Sequence, residues 1–170
     1  MEFRVAQPAD LPQLEAVYQK IVAHMEQQGV FVWDEVYPCA VLGEDIAQGR
    51  LYILLDGAQI AAAFALCAAN EGARAVQWAQ PAAKALYVDR LGVAVAYLRK
   101  GVGRTMLRRA AALARARGAE YLRLFVVESN QPAIRLYESC GFLRVPGVYE
   151  ERIDEELTLR EWGFEQKLSV

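Results

Sequence analysis

Although 55% of the 170 residues are hydrophobic, no run approaches the roughly 18 apolar residues that a membrane span requires. Much of that fraction is alanine. The N-terminus has no basic region followed by an apolar stretch, which argues against a secretory leader. Cysteine is scarce: Cys39, Cys67 and Cys140 are odd in number, widely spaced and outside any C-x-x-C pair. Disulfides and zinc are therefore not expected, and a reducing cytoplasm is the natural compartment. The single histidine, His24, has no metal-ligand company and reads as structural, so no metal is expected. A formal net charge of −2 lacks the positive excess of a general nucleic-acid binder. Neither membrane nor nucleic acid is an expected partner. The length suits one domain, residues 1–170, large enough to bury a real core.

The usual nucleotide loops are missing as well. There is no G-x-x-x-x-G-K-[ST], and Gly101-Val102-Gly103-Arg104-Thr105-Met106 lacks the third glycine of a dinucleotide fingerprint. What is present is a strand ending at Leu91-Gly92-Val93, then the basic loop Arg99-Lys100-Gly101-Val102-Gly103-Arg104, then an alanine-rich helix. Such a loop aims backbone N–H groups at one point, where the start of a helix adds partial positive charge. Gly101 and Gly103 let the backbone approach an anion closely, and Arg99, Lys100 and Arg104 bring full charges. A phosphate or pyrophosphate suits this arrangement. By itself a G-x-G before a helix is as often a plain tight turn. Some thirty residues on, Asn130-Gln131-Pro132-Ala133-Ile134-Arg135-Leu136-Tyr137-Glu138-Ser139-Cys140-Gly141-Phe142 has a cap at Asn130, proline in the first turn and a stop at Gly141.

The remaining pattern alternates strands and helices. Phe3–Ala6 reads as a short strand, and Pro8-Ala9-Asp10 opens a helix that carries Leu11, Leu14, Val17, Tyr18, Ile21, Val22 and Met25 at helical spacing. A second short helix is expected from about Val41 to Gln48. Leu51–Leu55 and Ile60–Cys67 are apolar strands joined by the turn Asp56-Gly57-Ala58-Gln59. Strand Ala85–Val93, helix Val102–Arg117 and strand Tyr121–Val127 imply a parallel pair with a right-handed crossover. Further strands are expected near Phe142–Val145 and Leu157–Gln166. The fold class is mixed α/β.

In both segments and their spacing the chain resembles the GNAT superfamily of N-acetyltransferases, which use acetyl-coenzyme A. The family's pyrophosphate loop, Arg/Gln-x-x-Gly-x-Gly/Ala, falls on Leu98-Arg99-Lys100-Gly101-Val102-Gly103, and its Asn-x-x-Ala-x-x-x-Tyr-x-x-x-Gly-Phe falls on Asn130, Ala133, Tyr137, Gly141 and Phe142. Leu98 departs from the family, standing where Arg or Gln is usual; the backbone cradle does not depend on it, and Arg99 is adjacent. The resemblance implies a twisted mixed sheet of six to seven strands, with helices on both faces and a splayed central parallel pair. It implies acetyl-coenzyme A as co-substrate and a primary amine, of a small molecule or a peptide, as acceptor. It also implies that Leu91, Gly92 and Val93 line the pantetheine arm, that Lys100 to Arg104 and Asn130 serve the cofactor, and that Tyr137 protonates the leaving thiolate.

Other roles stay open in the sequence. Gly92 inside a strand marks a bulge or a close approach by a ligand or another part of the chain. Asp89, a carboxylate within an apolar strand, is a candidate base or half of a salt bridge, with Arg90 among the partners. Glu128 is a second candidate or a solvated charge. Trp33, Asp34 and Tyr37 mix aromatics with acid in a way that suits a cationic amine, or they cover the core edge. The acidic run Glu150, Glu151, Asp154, Glu155 and Glu156 reads as a solvated loop, or as a charge that draws in a basic substrate. Cys140 has no activating partner in the pattern, which favours direct attack over a covalent intermediate. A non-catalytic coenzyme A sensor and an unrelated anion-binding protein are the competing classes, and homodimerisation is left open.

Overall fold

Residues 1–169 are described by a computed structural model. The chain divides into two compact units, one of Met1–Leu66 with Asp89–Met106, the other of Cys67–Val88 with the chain from Leu107 on.

In the first unit, β1 (Glu2–Val5) runs antiparallel to β2 (Leu51–Asp56), which runs antiparallel to β3 (Gln59–Cys67). Every residue of β2 but Asp56, and of β3 but Gln59, is buried. This is why both read as continuous apolar runs rather than as an alternation. Phe3, Tyr52 and Phe64 stack with ring centroids 5.6–6.0 Å apart. Between β1 and β2 lie a 3-10 turn (Pro8–Asp10), helix α1 (Leu11–Gln27) and helix α2 (Cys39–Ala47). Asp10 accepts the backbone N–H of Gln7 and two bonds from the Arg4 guanidinium, at 2.8 and 2.9 Å, which fixes the entry into α1. Leu14, Tyr18, Ile21 and Val22 form its buried face, and each large apolar side chain so buried contributes about 1.5–3 kcal/mol.

Strand β4 (Ala85–Val93) begins in the second unit and ends in the first. Its parallel ladder with β5 (Tyr121–Val127) is registered only from Ala85↔Tyr121 to Tyr87↔Arg123. Helix α3 (Val102–Ala116) connects the two strands, as a crossover requires. Helix α4 (Gln131–Ser139) follows β5, and then β6 (Leu143–Arg144), β7 (Tyr149–Arg152) and β8 (Thr158–Lys167). Strand β8 is antiparallel to β5 from Glu161 to Lys167 and also pairs with β6 and β7. The hydrogen-bonded order is β1-β2-β3-β4-β5-β8-β6, with β7 on β8.

The sheet therefore has eight strands rather than six or seven. The added strand is β7, part of the stretch expected to be an acidic loop. Its Tyr-Glu-Glu-Arg sequence shows no apolar alternation because it is a half-exposed strand, held by backbone pairing and by an ion pair between its Glu150 and the registered Arg160, 2.9 Å. The segment from β6 to β7 is interrupted at Pro146-Gly147. Gly147 has φ +102°, and a Cβ there would lie 2.8 Å from the Ala75 carbonyl oxygen. Helix α2 starts two residues earlier than expected, and Val95–Tyr97, read as loop, forms a 3-10 turn.

Candidate active site

In the first unit the loop expected to hold an anion is built from two left-handed residues, Arg99 (φ +60°) and Gly101 (φ +77°), with Lys100 between them. A Cβ at Gly101 would meet nothing within 4 Å, so its glycine serves backbone conformation and not packing. Val102 opens α3, whose first turn contains no acid. The first N–H groups of a helix have no partner inside it. Arg99, Lys100 and Arg104 are exposed and add positive charge at the end of the helix that is already positive. The Lys100 ammonium donates to the Ala96 carbonyl oxygen at 2.8 Å and lies 5.6 Å from the Tyr97 ring centroid. Tyr97 in turn donates to Asp56 at 3.1 Å. Leu98 is 38% exposed.

Upstream, β4 is bent at Arg90, which has φ +54°. Asp89 sits half-buried just before the bend. The Arg90 guanidinium, considered a salt-bridge partner for Asp89, donates to Asp45 of α2 from Nε at 2.7 Å and Nη2 at 2.9 Å, and from Nη1 to the Tyr37 hydroxyl at 3.3 Å. Asp45 is fully buried and also accepts from Arg50 Nε at 2.6 Å. Burial opposes the charge on Arg90, but Tyr37 and Asp45 outweigh it and raise its pKa. The buried Tyr18 hydroxyl donates to the Arg90 carbonyl oxygen, and burial pushes its pKa well above the ordinary phenol value. A Cβ on Gly92 would stand 2.9 Å from the Tyr18 ring and 3.0 Å from Ile21. The close approach expected at Gly92 is thus made by α1 on the side a Cβ would occupy.

The residues expected to meet the acceptor adjoin this network. The Trp33 and Tyr18 rings pack at 5.7 Å. Asp34 Oδ1 accepts the backbone N–H groups of Val36 (2.8 Å) and Tyr37 (2.7 Å), shaping the turn that presents the 39%-exposed Tyr37. Sequence reasoning did not single out Tyr18, Asp45, Arg50 or Arg90 as a group. The available signal was an acid, Asp45, between the apolar Leu42 and Ile46 of a short helix.

In the second unit, Asn130 caps α4, accepting the Ala133 N–H at 3.3 Å. Tyr137 is buried on that helix, with its ring 6.1 Å from Phe142 and 6.4 Å from Phe164. Glu128 is paired with Arg160 at 3.1 Å at the end of β5. Asp154 accepts the N–H groups of Glu156 and Leu157 in the turn from β7 to β8. This unit also holds an unanticipated pocket of about 350 Å³ lined by Arg74, Val76, Trp78, Pro81, Tyr87 and Arg123. Among the described residues, no group of His, Cys, Asp and Glu could hold a metal ion and no helix is long and apolar enough to cross a membrane.

A mixed sheet with a short parallel ladder, and a glycine-bearing basic loop opening the crossover helix, frame the candidate site. Residues 26–142 match the acetyltransferase (GNAT) family, and the chain belongs to it. Over 57 residues it is 44% identical to streptothricin acetyltransferase of Streptomyces lavendulae, a match covering 34% of this chain and 30% of that protein's length. Its fold is similar to the crystal structure of a GNAT-family acetyltransferase from Streptococcus agalactiae, with TM-score 0.83, 17% identity and coverage of 99% and 95% of the two chains. It is also similar to the ribosomal-protein-S18-alanine N-acetyltransferase of Escherichia coli, with TM-score 0.68, 22% identity and coverage of 99% and 94%.

Proposed function

We propose that this protein transfers an acetyl group from acetyl-coenzyme A to the primary amine of a small molecule or peptide, by direct attack, with residues 1–170 acting as one catalytic domain. The observation that carries the reading is the loop at the start of α3. Three exposed cations and two left-handed residues gather at a positive helix end with no acid in its first turn, an arrangement that favours an anion. The pyrophosphate of coenzyme A is an anion of suitable charge and size. The three cysteines form no disulfide, which fits a reducing cytoplasm, and burial pushes the Cys39 thiol up, away from a reactive thiolate.

Acetyl-coenzyme A supplies an activated acyl group as a thioester. In this reading the backbone of Lys100 to Arg104 and of Leu91 to Val93 binds it, with Asn130 setting the α4 end. N–H groups of Leu91–Val93 stabilise charge on the carbonyl oxygen. Asp89 takes the proton that an alkyl amine, of pKa about 10.4 in water, carries at neutral pH. The Tyr137 hydroxyl gives a proton to the thiolate as the C–S bond breaks. Trp33, Asp34 and Tyr37 receive the amine. Trp33 and Tyr37 supply aromatic surface for a cation.

Calorimetric titration with acetyl-coenzyme A, followed by thiol release across an amine panel, tests the reading. Binding with turnover is expected. Binding without turnover on any amine points to a coenzyme A sensor, and no binding overturns the assignment. Asp89→Asn should lower kcat/KM most at low pH, with partial recovery as free amine appears; a pH profile parallel to the wild type removes Asp89 from the role.

A further inference from the structure

We propose that Tyr18 of α1 and Asp45 of α2 are positioning residues for acyl transfer, clamping Arg90 in its left-handed conformation and so fixing the path of Leu91–Val93. The role in transfer rests on the acetyl-transfer reading above; the clamp itself does not.

Left-handed backbone is unfavourable for a residue with a Cβ by about 1–2 kcal/mol, and it persists where surrounding structure enforces it. At Arg90 the enforcement comes from both ends of the residue. Its carbonyl oxygen accepts the Tyr18 hydroxyl, and its guanidinium is gripped by Asp45 through Nε at 2.7 Å and Nη2 at 2.9 Å. Tyr18 and Asp45 are both fully buried, and Asp45 is itself held by Arg50 at 2.6 Å. Two residues on, the Tyr18 ring fills the space over Gly92, where a Cβ would come within 2.9 Å. The strand is anchored again at Ala94, whose N–H donates to the Ala61 carbonyl oxygen at 2.8 Å. Leu91, Gly92 and Val93 are therefore bracketed, by Arg90 behind and Ala94 ahead, and pressed on one face by α1.

Such bracketing is what an oxyanion-stabilising backbone needs. Donors must be aimed before the charge develops, and small misplacements are expensive. Tyr18 and Asp45 hydrogen-bond to Arg90 and Arg50, not to the loop Lys100 to Arg104. The acceptor segment joins the same clamp, since Tyr37 accepts from Arg90 and Trp33 packs on Tyr18.

The test uses the full chain. Tyr18→Phe removes one hydroxyl and keeps the ring over Gly92; Asp45→Asn keeps size and removes charge. In each variant kcat should fall on the order of 10–100-fold with little change in acceptor KM, while acetyl-coenzyme A affinity by calorimetry falls by less than kcat does, because the cradle at Lys100 to Arg104 is undisturbed. In ligand-free 15N-labelled protein, amide shift changes should concentrate at Leu91, Gly92 and Val93. Arg90→Gly frees the backbone of its side-chain restraint, so adding Asp45→Asn to it should cost much less than Asp45→Asn costs alone. A lowered melting temperature with unchanged kcat and unmoved amides at 91–93 overturns the proposal. Should Asp45→Asn fail to fold, Tyr18→Phe alone decides it by the same readouts. If wild-type protein turns over no amine, the acetyl-transfer reading fails and the positioning role with it; the amides of Tyr18→Phe still report separately whether the clamp exists.

Discussion

Tyr18 shows how one side chain can read as ordinary core in a sequence and act otherwise in the fold. Its place in the apolar stripe of α1 is legible from spacing; the partner of its hydroxyl, 72 residues away in β4, is not. The same separation hides Asp45 and Arg90, because periodicity reports only neighbours on one element. A pH dependence follows from the Tyr18 burial. Below about pH 10 the phenol is neutral in folded and unfolded chains, and its raised folded pKa has no effect. Above that the unfolded chain ionises and the folded one does not, so stability falls as pH rises, by up to about 1.4 kcal/mol per pH unit from this group. Melting temperatures of wild type and Tyr18→Phe between pH 9 and 11 should show the shallower decline in the variant; equal slopes refute the burial effect. The motif singles out Tyr137 in the sequence, while its packing near Phe142 and Phe164 needed the structure. Tyr137→Phe should retain that packing and acetyl-coenzyme A affinity yet lower kcat on the order of 10²-fold if the hydroxyl is the acid. Unchanged turnover at saturating substrates would leave Tyr137 a packing residue.

At the scale of elements the sequence was most readable where one physical signal dominates. Strands β2 and β3 are long apolar runs, and β4, α3 and β5 were expected within a residue of their observed bounds. Strand β7 was hidden because a half-exposed strand made of Glu and Arg looks like a charged loop. The bend at Arg90 was half visible: Gly92 announced a close approach, but nothing local identified α1 as what approaches. At the loop before α3 the conformational argument gives a clean experiment. Space around Gly101 is open, so Gly101→Val strains only its own backbone and should leave the circular dichroism spectrum intact. Acetyl-coenzyme A affinity should drop at least tenfold, because left-handed geometry at this point directs the cradle. Near-normal affinity would mean that the anion binds elsewhere.

For the whole chain, buried charge is a source of single-residue sensitivity. Arg123 is 2% and Glu165 5% exposed. They pair at 3.3 Å, and the guanidinium stacks 4.5 Å from the Trp78 ring while Glu165 also accepts the Ala79 N–H at 2.9 Å. Arg123→Met leaves a buried carboxylate without its cation and should lower stability by about 3–5 kcal/mol in urea denaturation. Adding Glu165→Gln, which can still accept from Ala79, should restore part of it; no recovery would show that packing against Trp78 matters more than charge. Mixed α/β architecture was legible from alternation alone, whereas the division into two units was not, since each gathers segments distant in sequence. That division bears on biosynthesis. The chain leaves the first unit after Leu66, re-enters at Asp89 within β4 and leaves again after Met106 within α3. A nascent polypeptide cannot finish its first unit until residue 106 has emerged from the ribosome, by which point the opening strand of the second is already outside. Neither unit can be excised as one continuous fragment, and chain breaks should be tolerated only in surface turns such as Gly57-Ala58, never in β4 or α3.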